Sequence, residues 1–228
     1  MKIVIISDTH GGHEELGPLC GDVLIHCGDV ENLFKSDDRA IEKIDDWFGR
    51  QQFDHILCIG GNHDLALENR VDEGAQPFQN AVFLHETELV INGVKFYGSS
   101  WVPDLRNHAF YADELALEEA WSNIPDDVDV LITHTPPAGV LDVSSRGDAL
   151  GCRRLSRRLK KLKPVLHCFG HVHASAGSRV SGTTTYVNAS SVNSSFEIAV
   201  APYEFAFPSK GMPTRKRFWA RLASWWPF

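Results

Sequence analysis

The chain has no Cys-x-x-Cys pair, no apolar run of membrane-spanning length, no internal repeat and no excess of positive charge. Its five cysteines (Cys20, Cys27, Cys58, Cys152, Cys168) are odd in number and scattered, which argues against a disulfide framework or a cysteine-type zinc site. Cys27, Cys58 and Cys168 stand inside apolar stretches, where a reduced thiol behaves as a small hydrophobe. A reducing, cytoplasmic compartment is the expectation. The apolar stretch from Ile3 to Ile6 is too short for a signal-peptide core, and a spanning helix needs about 18 apolar residues. A net charge of −8 lacks the basic footprint of a general nucleic-acid binder.

What is present is an ordinary globular mix: 228 residues, 43% hydrophobic and 23% charged. Such a length predicts one domain able to bury its own core, so a metal here would serve chemistry rather than folding. The domain is expected over residues 1–208, with a basic, Trp-rich tail over 209–228. The five cations of the tail (Lys210, Arg215, Lys216, Arg217, Arg221), unaccompanied by acids, leave −13 on the first 208 residues. At helical spacing Phe218, Leu222 and Trp225 share a face, the composition of an interfacial helix. Packing on its own body or contact with a second subunit is the favoured expectation and a membrane surface the alternative, because the tail is short and the body acidic.

The body repeats one pattern: a short apolar run stops abruptly at metal-competent residues. Ile3–Ser7 runs into Asp8-Thr9-His10, and Val23–Cys27 into Gly28-Asp29. His55–Ile59 runs into Gly60-Gly61-Asn62-His63-Asp64, Val130–Thr133 into His134, and Val165–Phe169 into Gly170-His171-Val172-His173. Continuous aliphatic runs of this length predict strands buried on both faces. Helical stretches are predicted at Ser36–Arg50, Asp113–Trp121 and Gly151–Lys163, the last ended by Pro164. Asn92-Gly93 predicts a hairpin within Leu89–Tyr97, and Thr183–Asn188 a further strand. The class is therefore α/β. In such sheets ligands collect beyond the carboxyl ends of strands, where all five polar clusters fall.

Collected, these groups are Asp8, His10, Asp29, Asn62, His63, His134, His171 and His173. Carboxylate, amide and imidazole donors without thiolate suit Mn²⁺, Fe, Zn²⁺ or Co²⁺. They are too many for one ion, and two ions sharing a carboxylate would use the set, an arrangement typical of phosphate-ester hydrolysis.

In order, Asp8-Thr9-His10, Gly28-Asp29, Gly61-Asn62-His63-Asp64, His134 and Gly170-His171-Val172-His173 resemble the blocks of the calcineurin-like metallophosphoesterases. The resemblance covers about residues 1–208. Thr133–Pro137, Gly151-Cys152 and Gly177 followed by Thr185–Ser190 further resemble the class III-type phosphodiesterases, a group that includes the animal metallophosphoesterase-domain-containing proteins. The resemblance implies a four-layer α/β/β/α sandwich. It also implies one metal on Asp8, His10, Asp29 and His173, and a second on Asp29, Asn62, His134 and His171, with Asp29 bridging. His63 would face the substrate as the catalytic imidazole, with Asp64 orienting its ring or capping a helix. Asn62, His63 and His173 would contact the substrate, a small phosphodiester attacked by a hydroxide bridging the metals. Cyclic nucleotides such as 2′,3′-cAMP are candidates by resemblance alone. The alternatives are a phosphomonoesterase or protein phosphatase of the same fold, or a metal-binding scaffold that recruits partners through its tail.

Other residues are less specific. His13 could approach the mouth of the site, whereas His26, His55 and His167 are expected to be packed or hydrogen-bonded. Trp101 is expected in the core or a lid, with stacking on a base as the alternative. The Pro136–Asp142 loop is expected to line the cleft, and Arg146 to touch phosphate if it is not simply solvated.

Overall fold

The computed structural model describes residues 1–32 and 39–207. The tail at 209–228 and the first residues of the helix expected from Ser36 lie outside the described residues. The apolar runs form strands as predicted in β1 (Lys2–Ile6), β2 (Cys20–His26) and β3 (Gln52–Cys58); with the short β4 (Val82–Phe83), which no apolar run announced, they are parallel neighbours in that order. The antiparallel strand β11 (Tyr203–Ala206) closes the other edge beside β1.

A second, six-stranded sheet runs β5 (Thr87–Ile91), β6 (Val94–Ser99), β7 (Val130–Thr133), β8 (Leu166–Phe169), β10 (Thr184–Asn188) and β9 (Gly177–Ser181). Its four inner strands are parallel, and β5 and β9 pair antiparallel at the edges. The β5–β6 hairpin turns at Asn92 and Gly93, both at positive φ (54° and 77°), as a tight Asn-Gly turn requires.

Alternation along the strands sorts side chains into layers. Ile3, Ile5, Val23 and Ile25 of the first sheet meet Phe96, Val130, Ile132, Leu166 and Val187 of the second. Val4, Ile6 and Leu24 point the other way, against α1 (Ala40–Phe48) and α2 (Leu65–Asp72). Helix α1 buries Ile41, Ile44, Trp47 and Phe48, each contributing about 1.5–3 kcal/mol of apolar burial. On the far side, Tyr97 and Leu131 pack against α3 (Glu114–Ser122) and α4 (Arg153–Leu162). The result is the α/β/β/α sandwich.

Helix ends follow local chemistry. Asp113 caps α3 by accepting from the N–H groups of Leu115 and Ala116, both at 3.0 Å, and Lys163 ends α4 in the left-handed region (φ 50°) just before Pro164. All the parallel strands point their carboxyl ends to one end of the sandwich, so Asp8, Asp29, Asn62, His134 and His171 leave the sheets together. Among the described residues no helix is long and apolar enough to cross a membrane.

Candidate metal centre

Each candidate side chain sits one to four residues beyond a strand, where the backbone must turn sharply. Asp8, His10, Asp29 and His171 all adopt positive φ (52°, 46°, 59° and 70°), a region that is strained for side chains other than glycine. The strained turns are held by long-range hydrogen bonds. The N–H of Asp8 donates to Gly28 O at 2.9 Å, and that of His10 to Asp29 O at 3.1 Å. The β1 and β2 exits are thereby locked edge to edge. There is no room to spare: a Cβ on Gly170 would lie 2.0 Å from Ser7 Oγ and 2.1 Å from Asp8 Oδ2.

The structure brings all seven expected ligands together. Asp8, His10 and His173 form one close group, and Asp8, Asp29 and His134 another. His10 Nε2 is 3.3 Å from His173 Nε2, which is 3.3 Å from Asp8 Oδ1. On the other side Asn62 Oδ1 lies 3.1 Å from His134 Nε2 and 2.7 Å from His171 Nδ1. The same oxygen of Asp29, Oδ2, faces His134 Nε2 at 3.4 Å and His10 Nε2 at 3.9 Å. Asp29 therefore stands between the two groups, while Asp8 also reaches both.

These spacings fit metal ions. Donor atoms bonded at about 2.1 Å to an ion in tetrahedral or octahedral geometry lie about 3.0–3.4 Å from one another. The orientation fits too. His134 Nδ1 is tied to Cys27 O at 2.8 Å and His10 Nδ1 to Glu31 O at 3.3 Å, which aims each Nε2 inward, the usual outer support of metal-bound histidines. Asp8 is steadied by Ser190 Oγ–H, which donates to Oδ2 at 2.8 Å, and by the His171 N–H at 3.0 Å from Oδ1.

The electrostatics point the same way. Burial disfavours the charged forms of Asp8 and Asp29, yet the surrounding imidazoles hold both carboxyls below the ordinary range. Burial also opposes charge on His134, but the carboxylates of Asp29 and Asp8 push its pKa up to about 10. His10 and His171 go the other way: burial outweighs the carboxylates and pushes both imidazoles down, His171 to about 4, so these two present neutral nitrogens.

Other expected residues fall differently. His63 is half-buried, its N–H donates to Asp29 Oδ1 at 2.9 Å, and its ring lies edge-on to His10 and His108 at 5.5 and 5.6 Å between centroids. Asp64 neither touches that ring nor caps α2 with its side chain. Instead its fully buried carboxylate accepts from the N–H groups of Asp29 and Gly61 (both 2.8 Å), Val30 (2.8 Å) and Glu31 (2.9 Å). It fixes the backbone that presents Asp29.

His13 does not reach the mouth. It is buried beside Trp47, 5.7 Å between rings, and burial pushes its pKa down to about 4. His26 and His167 are fully buried and hydrogen-bonded to Thr9 and Thr133, whereas His55 is exposed because it stands in the outer half of β3, just before the buried Ile56–Cys58. Trp101 packs between the two outer layers with His85 4.6 Å away. Arg146 is exposed in the 144–148 turn. Within the Pro136–Asp142 loop the Leu141 carbonyl accepts from Asn188 Nδ2 at 3.2 Å, which ties the loop to the strand end before Ser190.

Two further groups stand at the centre. Ser190 lies two residues beyond β10, after the expected Thr183–Asn188 strand but outside the metal-competent set. Phe196 lies in the loop after β10, its ring edge-on to His10 at 5.5 Å and His173 at 5.2 Å.

The fold and this constellation place the chain among metal-dependent phosphoester hydrolases. It belongs to the calcineurin-like phosphoesterase family, whose sequence profile matches residues 1–175 and which depends on a dinuclear metal centre. Among its relatives is UPF0046 protein K07C11.7 of Caenorhabditis elegans, 35% identical over 227 residues covering 92% of this chain and 76% of that one. Human metallophosphoesterase domain-containing protein 1 is 32% identical over 234 residues, covering 91% and 71%. A solved structure only 17% identical shares the fold with a TM-score of 0.56, covering 82% of this chain and 89% of that one.

Proposed function

We propose that this chain is a dinuclear metal-dependent phosphodiesterase acting on small phosphodiesters. The observation that carries the proposal is the convergence of Asp8, His10, Asp29, Asn62, His134, His171 and His173 from five separate strand ends onto one pocket. One ion would be held by Asp8, His10, Asp29 and His173, the other by Asp29, Asn62, His134 and His171. The donor set suits Mn²⁺, Fe, Zn²⁺ or Co²⁺. When bound, such a pair supplies Lewis acidity at phosphoryl oxygens and makes water acidic enough to react near neutral pH.

The chain's own groups perform the remaining tasks. Asn62 is a neutral ligand, so it positions an ion without reducing the positive charge that attracts an anionic ester. His63 is placed beside Asn62 with its ring toward the open side, where it can hydrogen-bond a phosphoryl oxygen or give a proton to the departing alkoxide. His173, only partly buried, is open to the substrate on its outer edge. The polar set contains no guanidinium, which suits a singly charged diester better than a dianionic monoester.

The five cysteines are free thiols, in keeping with a reducing compartment, and we place the protein in the cytoplasm. Hydrolysis of bis(p-nitrophenyl) phosphate against p-nitrophenyl phosphate, with each divalent metal in turn, tests the reading. A higher kcat/KM for the diester is expected. A clear preference for the monoester would replace the phosphodiesterase by a monoesterase, and no turnover with any metal would remove the enzyme.

A further inference from the structure

We infer that His108 is a second substrate-contacting imidazole, which grips the departing ester arm beside His63 and favours arms with an oxygen next to the ester linkage; this rests on the phosphodiesterase reading above. The rings of His63 and His108 meet edge-on, 5.6 Å between centroids at an interplanar angle of 86°. Among the described residues His10 is in ring contact with His63 at 5.5 Å but not with His108, so His108 stands beyond His63 as seen from the ligand group. His63 is half-buried and His108 exposed. The imidazoles thus run from the buried ligands outward through His63 to the rim.

The loop that carries His108 is pinned to the turn that carries Asn62 and His63. It leaves β6, and its ends are joined where the Val102 N–H donates to Phe110 O at 2.8 Å and the Ala112 N–H to Val102 O at 3.1 Å. The Ala109 N–H donates to Asn62 O at 3.1 Å, and the Phe110 N–H to Glu68 Oε1 at 2.6 Å. Phe110 fills the space over Gly60, where a Cβ would lie 2.1 Å from its ring. Ala109 and Phe110 are both buried, and Phe110 has a φ of 52°, a strained conformation that persists where the surroundings enforce it. The two residues after His108 are therefore locked into the core, and His108 is held at the edge of the site by their anchors.

Among the described residues no protein group is hydrogen-bonded to the ring of His63 or of His108, so each keeps its nitrogens for a ligand. A neutral imidazole offers one N–H donor and one acceptor. With His63 directed at the departing oxygen, the neighbouring ring faces what that oxygen is attached to. A hydroxyl on the adjoining carbon gives His108 a partner that a plain alkyl arm lacks.

Calorimetry with bis(2-hydroxyethyl) phosphate and diethyl phosphate on the metal-loaded protein tests the inference. The two diesters share their charge and ester linkages and differ in the terminal hydroxyls. The wild type should bind the hydroxylated diester about fivefold more tightly, the ratio that one hydrogen bond supplies. His108→Ala should lose that preference, and His108→Gln, which retains an N–H donor, should keep most of it. Both variants should match the wild type in melting temperature and metal content, because backbone bonds and Phe110 hold the loop. Equal affinities in the wild type, binding of neither diester, or a preference undiminished in His108→Ala would overturn the inference. A fall in melting temperature or metal content in His108→Ala would make the residue structural and overturn it too.

Hydrolysis keeps this claim apart from the reaction itself. If bis(p-nitrophenyl) phosphate is cleaved and the two affinities are equal, the role of His108 fails while the phosphodiesterase reading stands. If it is not cleaved, that reading fails, and the affinity comparison alone decides whether His108 contacts a diester.

Discussion

The carboxylate of Asp64 accepts the backbone N–H of Asp29 at 2.8 Å, across 35 residues of sequence. The same group takes three more N–H donors from Val30, Glu31 and Gly61, so one buried side chain joins the exits of β2 and β3. Asp29 holds its strained conformation because Asp64 sits beneath it. An acid beside the candidate catalytic histidine, which invites a role in catalysis, here supports a candidate metal ligand instead.

Replacing Asp64 by Asn should therefore damage folding and metal affinity together. The amide can offer only one acceptor oxygen, leaving two buried N–H groups facing its NH₂. A loss of about 2–4 kcal/mol is expected, given about 1–3 kcal/mol for each stranded buried donor. Urea denaturation measures it, and metal analysis should show weaker retention. A variant with normal stability and metal content but low turnover would instead favour an orienting role toward His63.

Asp29→Ala and His63→Ala should separate metal binding from chemistry. Asp29 faces both ligand groups through Oδ2, so its removal should empty both positions. Two tightly held ions in that variant, measured by elemental analysis, would contradict the bridging assignment. His63→Ala should keep both metals and lose about 10²-fold or more in kcat, most with poor leaving groups. An unchanged rate would make His63 structural.

Gly170→Ala tests how closely the two sheets approach at the centre. The added methyl would meet Ser7 Oγ and Asp8 Oδ2 at 2.0 and 2.1 Å, so strand ends must separate. About 1–3 kcal/mol of destabilisation is expected from overpacking, with lower metal affinity because Asp8 is displaced. A melting temperature equal to the wild type would show that the loop yields freely.

Acid should destabilise the fold in part through His167. Its Nε2 lies 2.9 Å from Thr133 Oγ1, and that hydroxyl donates to Thr135 O, so Nε2 carries the proton and Nδ1 remains neutral and unpartnered. Burial pushes its pKa from 6.5 down to about 3. Between those values the unfolded chain binds a proton that the folded chain refuses, so this contribution is complete above pH 6.5 and falls as pH drops. From pH 6.5 to 5 the loss is about 2 kcal/mol on that linkage. His167→Gln, which keeps an N–H for Thr133, should lose that much less stability over the same interval in urea titrations. Equal losses in both proteins would show that His167 charges within the fold.

Much of the site was legible because it is written locally. Asp8, Asp29, Asn62, His134 and His171 follow recognisable buried strands, and strand ends are where an α/β sheet gathers its ligands. The Asn92-Gly93 turn, the Asp113 cap and the Pro164 stop are likewise short-range chemistry. Phe196 was not legible, since nothing in the polar run around it signals approach to His10; Ser190 follows an expected strand, but its residue type gave no sign that it would steady Asp8. The positions of Asp64 and His13 were left open for a related reason: adjacency in sequence says which residues are neighbours along the chain, not which way a side chain turns after a strained corner.

By itself the sequence determined the strands that carry the centre, the helices α1, α3 and α4, the donor chemistry of the centre and the family, but not α2 or the edge strands β4, β9 and β11. Each follows from residue type and spacing over a few positions. Only the tertiary structure decided that Asp8 reaches both close ligand groups, that Asp64 is a scaffold and that Phe196 lies against His10 and His173. Those outcomes depend on how loops separated by as many as 186 residues are packed against one another, as the contact of Phe196 with His10 illustrates. Packing at that range is a property of the assembled core, where steric fit and buried hydrogen bonds select one arrangement among many that the local pattern allows.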